Sequence, residues 1–138
     1  MRRMSWGLVA AAAMVATPVA GLAGPYQVDH CQVTTPNDWV VSKSRSARAD
    51  KKVWVGLMEA PTAAEIIGVE TNLKAVKVSE DARVLLMVST ASFGGLTNKQ
   101  FHAITKTAPS CVADVTAPAG GADEALARQV ALTVGMKK

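Results

Sequence analysis

The sequence predicts an α+β fold: an antiparallel β-sheet with helices packed on one face, in a single domain over residues 24–138 that comes after an N-terminal signal peptide at residues 1–23. Three observations carry that expectation. Short alternating or continuously apolar segments are joined by Pro, Gly and Asn/Asp turns, so successive strands pair antiparallel. Two stretches with helical spacing and N-terminal capping residues interrupt them. No repeat and no long linker divides the chain, and the mature stretch of about 115 residues is the size of one ordinary domain.

The signal itself comes first. Arg2 and Arg3 precede an uncharged apolar run over residues 6–16, Thr17-Pro18 breaks it, and Gly21-Leu22-Ala23 supplies small residues for cleavage. The run is shorter than the roughly 20 residues a permanent bilayer span needs. The mature chain is therefore expected to start near Gly24 and to be periplasmic or secreted. Losing Arg2 and Arg3 lowers the net charge from +4 to +2, which removes the basic balance expected of a nucleic-acid binder. No second apolar run is long enough for a transmembrane segment, and Cys31 lies too far past the cleavage region for lipid attachment.

Residues 26–34 read as a strand, Pro36-Asn37-Asp38 as a turn, and Trp39-Val40-Val41 as a short second strand. Residues 42–52 are polar and basic. A third strand spans residues 52–60, with Val53, Val55 and Leu57 on one face and Trp54 and Met58 on the other, which suits a strand covered by a helix. Thr62 and Glu65 form a capping box that opens a helix, along which Ile66, Val69, Leu73 and Val76 make one apolar stripe. Gly68 weakens that helix and marks close packing. Residues 77–79 lead into a Glu80-Asp81 turn, and the most apolar strand, residues 83–92, is expected at the sheet centre.

Residues 97–107 read two ways. Leu96-Thr97-Asn98-Lys99-Gln100-Phe101 has the form of a capping box with a hydrophobic staple, whereas the β-branched and aromatic content of 101–107 favours a hairpin strand. Ala108-Pro109-Ser110 is a turn before the strand at 111–115. Asp123 is placed to cap a final helix through Leu126, Val130 and Val134, stopped by Gly135 in a left-handed conformation and trailed by Lys137-Lys138.

The stretch Cys31-Gln32-Val33-Thr34-Thr35-Pro36-Asn37-Asp38-Trp39 resembles the strand–Pro–x–x–Trp opening of Mog1/PsbP-like domains, which include the DcrB type of bacterial envelope protein. Cys111-Val112-Ala113-Asp114-Val115, with Ala127-Arg128-Gln129-Val130-Ala131-Leu132 after it, looks like that family's last strand and C-terminal helix. The resemblance implies an accessory or binding role around envelope complexes and carries no catalytic residues.

Cys31 and Cys111, an even pair in an oxidising compartment, are expected to form a disulfide. Closing a loop of that length is worth at most about 4.5 kcal/mol of chain entropy. The candidate anion-binding residues are Lys43, Arg45, Arg48, Lys51 and Lys52, set against a single Asp50. No nucleic-acid partner, cofactor or metal is expected. An unidentified envelope protein or an anionic surface is the expected partner, and the chain is read as non-enzymatic.

Other chemistries are weighed against that reading. A thiol hydrolase would pair Cys111 with His102 and Asp114, but Asp114 lies an odd number of residues from Cys111 on one strand and points the other way. A metal site drawn from His30, His102, Cys31 and Cys111 suffers because His30 and Cys31 are adjacent on a strand. His30 and His102 are therefore read as surface residues. Glu80-Asp81 and Asp123-Glu124 read as a turn and a helix start, Phe93-Gly94-Gly95 as a glycine turn without a nucleotide-binding context, and Trp39 and Trp54 as core anchors.

Overall fold

The computed structural model describes residues 22–93 and 95–137, so most of the predicted signal peptide lies outside the described residues. The elements run β1 (Leu22–Val28), β2 (Cys31–Pro36), β3 (Val40–Val41), β4 (Ser46–Ala47), β5 (Trp54–Ala60), α1 (Ala63–Asn72), β6 (Val76–Glu80), β7 (Val84–Phe93), β8 (Leu96–Thr105), β9 (Ser110–Pro118), α2 (Gly121–Ala131) and β10 (Gly135–Met136). β3-β4-β5-β9-β8-β7-β6 form a seven-stranded sheet and β1-β2-β10 a three-stranded one, with every pairing antiparallel. The α+β class holds. Cleavage before Gly24 would leave the β1–β2 register intact from Gly24↔Thr35 to Val28↔Cys31.

The expectation that the helices share one face does not hold. Ala127, Val130, Ala131 and Val134, in and after α2, pack with Cys31 and Val33 of β2 against Val55, Leu86, Phe101, Ala103, Ala113 and Val115. Ile66 of α1 packs on the opposite face against Leu85, Met87, Ile104 and Val112. The reason lies in β8 and β9: the successive residues Ala103 and Ile104, and Val112 and Ala113, are all fully buried, so these strands need a cover on each side. α2 and the small sheet supply one, and α1 supplies part of the other.

The segment that reads two ways in sequence is strand. β8 runs the length of β7 from Phe93↔Leu96 to Val84↔Thr105 and also pairs β9, so inter-strand bonding on both edges overrides the local helix signal. Gly95, at φ 82°, sits in the β7–β8 connection, while Gly94 lies outside the described residues. β7 is one strand in from the sheet edge, and β9 and β8 occupy the middle.

The helices differ from expectation in detail. Thr62 Oγ1 accepts from the Glu65 N–H at 3.3 Å, as a capping threonine should. Yet α1 ends at Asn72, and of the expected stripe only Ile66 is buried, while Val69, Leu73 and Val76 are exposed. Ile66 and Glu70 are the buried residues of the helix, a turn apart on the face that meets the sheet. Gly68 has open space around it, so close packing does not explain it.

At α2, Gly120 rather than Asp123 occupies the N-cap position, and Glu124 Oε1 accepts from the Gly120 N–H at 2.7 Å. The helix ends before Leu132, and Gly135 opens β10 rather than adopting a left-handed stop. Arg83 closes that end by donating to the carbonyls of Leu132 and Val134.

Candidate functional site

The basic segment folds as the corner β3–β4–β5. Val40↔Ala47 and Ser46↔Val55 pairing brings Arg45, Arg48 and Lys51 around a concavity of about 250 Å³, lined also by Val40, Ser42, Ala47 and Ala49. Arg45 lies over the Trp54 ring at 4.9 Å, so Trp54 is a half-buried platform, whereas Trp39 is the buried anchor. Arg48 is spoken for: Nη1 donates to Asp123 Oδ1 at 2.7 Å and Nη2 to Asp50 Oδ2 at 2.8 Å. These hydrogen bonds, Asp123 first, hold the Arg48 guanidinium above its ordinary range, and Asp50 and Asp123 lie below theirs, chiefly through Arg48. Lys43, Lys51 and Lys52 are exposed and make no ion pair among the described residues.

The other residues singled out by sequence lie away from this corner. Cys31 and Cys111 form the disulfide, with Cα atoms 5.5 Å apart, and tie β2 to β9. Asp81 makes its turn by accepting from the N–H groups of Arg83 and Val84, both at 2.8 Å, and these bonds lower its pKa. Glu80 pairs Lys106 at 2.6 Å. His30 is exposed beside Glu59, with Nδ1 3.2 Å from Oε1.

His102 departs from expectation. It is 3 % exposed, not a surface residue. Strand alternation puts it on the face opposite Cys111, so a Cys111–His102 pair is not assembled, while Asp114 does face away from Cys111 as expected. Asp114 sits directly across the β8–β9 ladder from His102, and its Oδ1 is 2.7 Å from His102 Nδ1. On the other side, β7 pairs Met87 with His102, which brings Ser89, two residues along, within reach: its Oγ lies 2.9 Å from Nε2. Glu70 descends from α1 and puts Oε2 3.3 Å from the same Nδ1. Burial first, and the Asp114 charge after it, push the Glu70 carboxyl above its ordinary value, with His102 opposing.

Four side chains from four elements thus converge under α1. Ser89, His102 and Asp114 follow the hydrogen-bond order of a hydroxyl, a base and an orienting carboxylate, which can pass a proton. Glu70, His102 and Asp114 place three ligating atoms within 4.8 Å of one another, a set that can hold a cation. The sequence singles out His102 and Asp114, but not in this company. The signal for Glu70 was its place one turn after Ile66, and for Ser89 its alternation with Leu85 and Met87 along β7.

No family model matches the chain, and no curated protein matches it in sequence. Among solved structures, it is similar to a crystal structure from Bacteroides thetaiotaomicron, determined at 1.50 Å resolution, with a TM-score of 0.54 and 16 % identity. The alignment covers 78 % of this chain and 45 % of that one, so this chain spans less than half the length of its neighbour. At that identity the likeness speaks for the fold alone.

Proposed function

We propose that this chain is an exported, non-enzymatic binding module that takes an anionic group of an envelope component at the basic corner formed by β3, β4 and β5. The concavity carries this reading: Arg45, Arg48 and Lys51 line it together, so cations scattered along residues 45–51 share one depression. Export rests on the N-terminal signal pattern, and the accessory role is what the resemblance to Mog1/PsbP-like domains implies. Asp50 and Asp123 neutralise part of the charge through Arg48, which gives that residue a structural task as well. Phosphate and carboxylate headgroups are the chemistry that fits.

The test depends on which cations are free of structural duty. Changing Lys43, Lys51 and Lys52 together to Glu spares the Arg48 ion pairs and the Arg45–Trp54 stack. Co-sedimentation with phosphatidylglycerol vesicles should weaken on the order of 100-fold, at about 1 kcal/mol for each Lys removed from a negatively charged surface. Phosphatidylcholine vesicles should bind neither protein. Equal binding of wild type and triple variant to phosphatidylglycerol would overturn the proposal.

A further inference from the structure

We propose that Glu70, His102 and Asp114 form a binding site for a divalent first-row transition-metal cation, with zinc as its tight-binding representative and Ser89 as the hydrogen-bond partner that orients the imidazole. The site is separate from the basic corner and does not depend on it.

A count of hydrogen-bonding capacity separates this site from a merely satisfied core histidine. Both ring nitrogens of His102 already have partners, Asp114 at Nδ1 and Ser89 at Nε2. A buried histidine needs no more than that. Glu70 is then surplus: a second carboxylate, 7 % exposed, directed at an Nδ1 whose single hydrogen is engaged by Asp114 at the shorter distance. One N–H cannot serve two carboxylates well, and a buried acid without a full partner is costly. A proton relay through Ser89, His102 and Asp114 gives Glu70 no task either. A single divalent ion between the three groups matches two carboxylates with two positive charges and leaves the imidazole neutral, and so accounts for all three together.

The geometry is close to what coordination requires. Tetrahedral zinc, with ligand bonds of about 2.0–2.1 Å, sets neighbouring ligand atoms roughly 3.3 Å apart. His102 Nδ1 and Glu70 Oε2 are already 3.3 Å apart, and His102 Nδ1 and Asp114 Oδ1 need only open from 2.7 Å. The Glu70 and Asp114 oxygens, within 4.8 Å, need to approach, which a shared cation promotes. With Nδ1 on the ion, the ring hydrogen moves to Nε2 and is donated to Ser89 Oγ, the outer partner that ligating histidines ordinarily have. Three protein ligands leave a position for water, and the Asp114 side chain, a quarter exposed, gives the ion a route in from solvent. An imidazole with two carboxylates is a borderline donor set, better suited to zinc, iron or manganese than to calcium, which prefers oxygen alone.

The experiment is a calorimetric titration of the full mature protein, freed of metal, with Zn(II). Binding of one ion per chain at micromolar concentration is expected. It should be lost in Glu70→Gln, His102→Gln and Asp114→Asn, fall about 10- to 100-fold in Ser89→Ala, and be unchanged in His30→Gln. In wild-type protein carrying ¹⁵N-histidine, zinc should move the His102 Nδ1 resonance to that of a metal-bound nitrogen and leave Nε2 protonated. That readout needs no variant, so it decides even if a core substitution fails to fold. Absence of micromolar binding, an unmoved His102 ring, or zinc binding that tracks His30 rather than His102 would each overturn the proposal.

Discussion

His102 offers one hydrogen at Nδ1 to two carboxylates, and the mismatch falls on Glu70, whose carboxyl lies above its ordinary 4.5 because burial disfavours the charge and Asp114 repels it. A carboxyl raised in the folded state favours folding below its unfolded value, and that contribution is lost as pH rises through the folded value. Glu70→Gln should therefore make the metal-free protein more stable than wild type at pH 7, and the advantage should shrink as pH falls through the Glu70 range. Urea midpoints of both proteins from pH 4 to pH 8 would check this. A less stable variant at pH 7 would mean that the Glu70 charge is already compensated without a metal. Stability and binding thus pull in opposite directions at one residue, as expected where a buried charge is kept for a ligand.

At the scale of elements, α1 is the informative case. The Thr62 half of its expected capping box was legible, since Thr62 Oγ1 accepts from the Glu65 N–H, whereas among the described residues no hydrogen bond runs from the Thr62 N–H to the Glu65 carboxylate. The buried face of α1 was legible only at Ile66: the apolar Val69, Leu73 and Val76 of the expected stripe are exposed, and the polar Glu70 is buried beside Ile66 instead. The helix ends at Asn72 and Val76 belongs to β6, so the stripe does not continue as helix to residue 76, and the first two turns, near Ala60, Met87 and Ile104, set the buried face. Two substitutions test this account of the helix. Thr62→Ala should cost about 1 kcal/mol through the lost cap. Gly68→Ala, at an exposed mid-helix position with open space around it, should stabilise by about 0.5–1 kcal/mol. Chemical denaturation reads both, and a destabilised Gly68→Ala variant would mean the glycine has a packing role after all.

For the molecule as a whole, the disulfide and the surface carboxylates set the conditions for stability. Cys31 and Cys111 are 80 residues apart and join the small sheet to the centre of the large one. Replacing both with Ala, which introduces no polar group at these fully buried sites, should lower the unfolding free energy by about 4.5 kcal/mol through the lost loop closure. A loss near zero would show that the β2–β9 packing holds the two sheets unaided. Acid should act through another set of groups: Asp50, Glu80, Asp81, Asp123 and Glu124 are all held below their ordinary values by hydrogen bonds to Arg48, Lys106, Val84 and Gly120. Depressed carboxylates stabilise above their unfolded pKa, and that stabilisation is lost as pH falls through the folded values. The urea midpoint should therefore drop steeply below about pH 4. A midpoint unchanged down to pH 2 would show these contacts to be energetically idle.

Local chemistry was enough to determine the strand-rich α+β class, the turn at Asp81, the helix start at Thr62, the cysteine pairing and the clustering of cations at residues 43–52, because each depends on neighbours in sequence or on a count of groups. Other features depended on partners far along the chain. Residues 97–107 became strand because β7 and β9 bond to both edges of β8. The helices took opposite faces because β8 and β9 are buried on both sides. Glu70, Ser89, His102 and Asp114 met because β7, β8 and β9 lie side by side with α1 above them, which joins residues up to 44 positions apart. Local propensity specifies elements, but a site is made by register between strands, and register is fixed only when the whole sheet closes around its core.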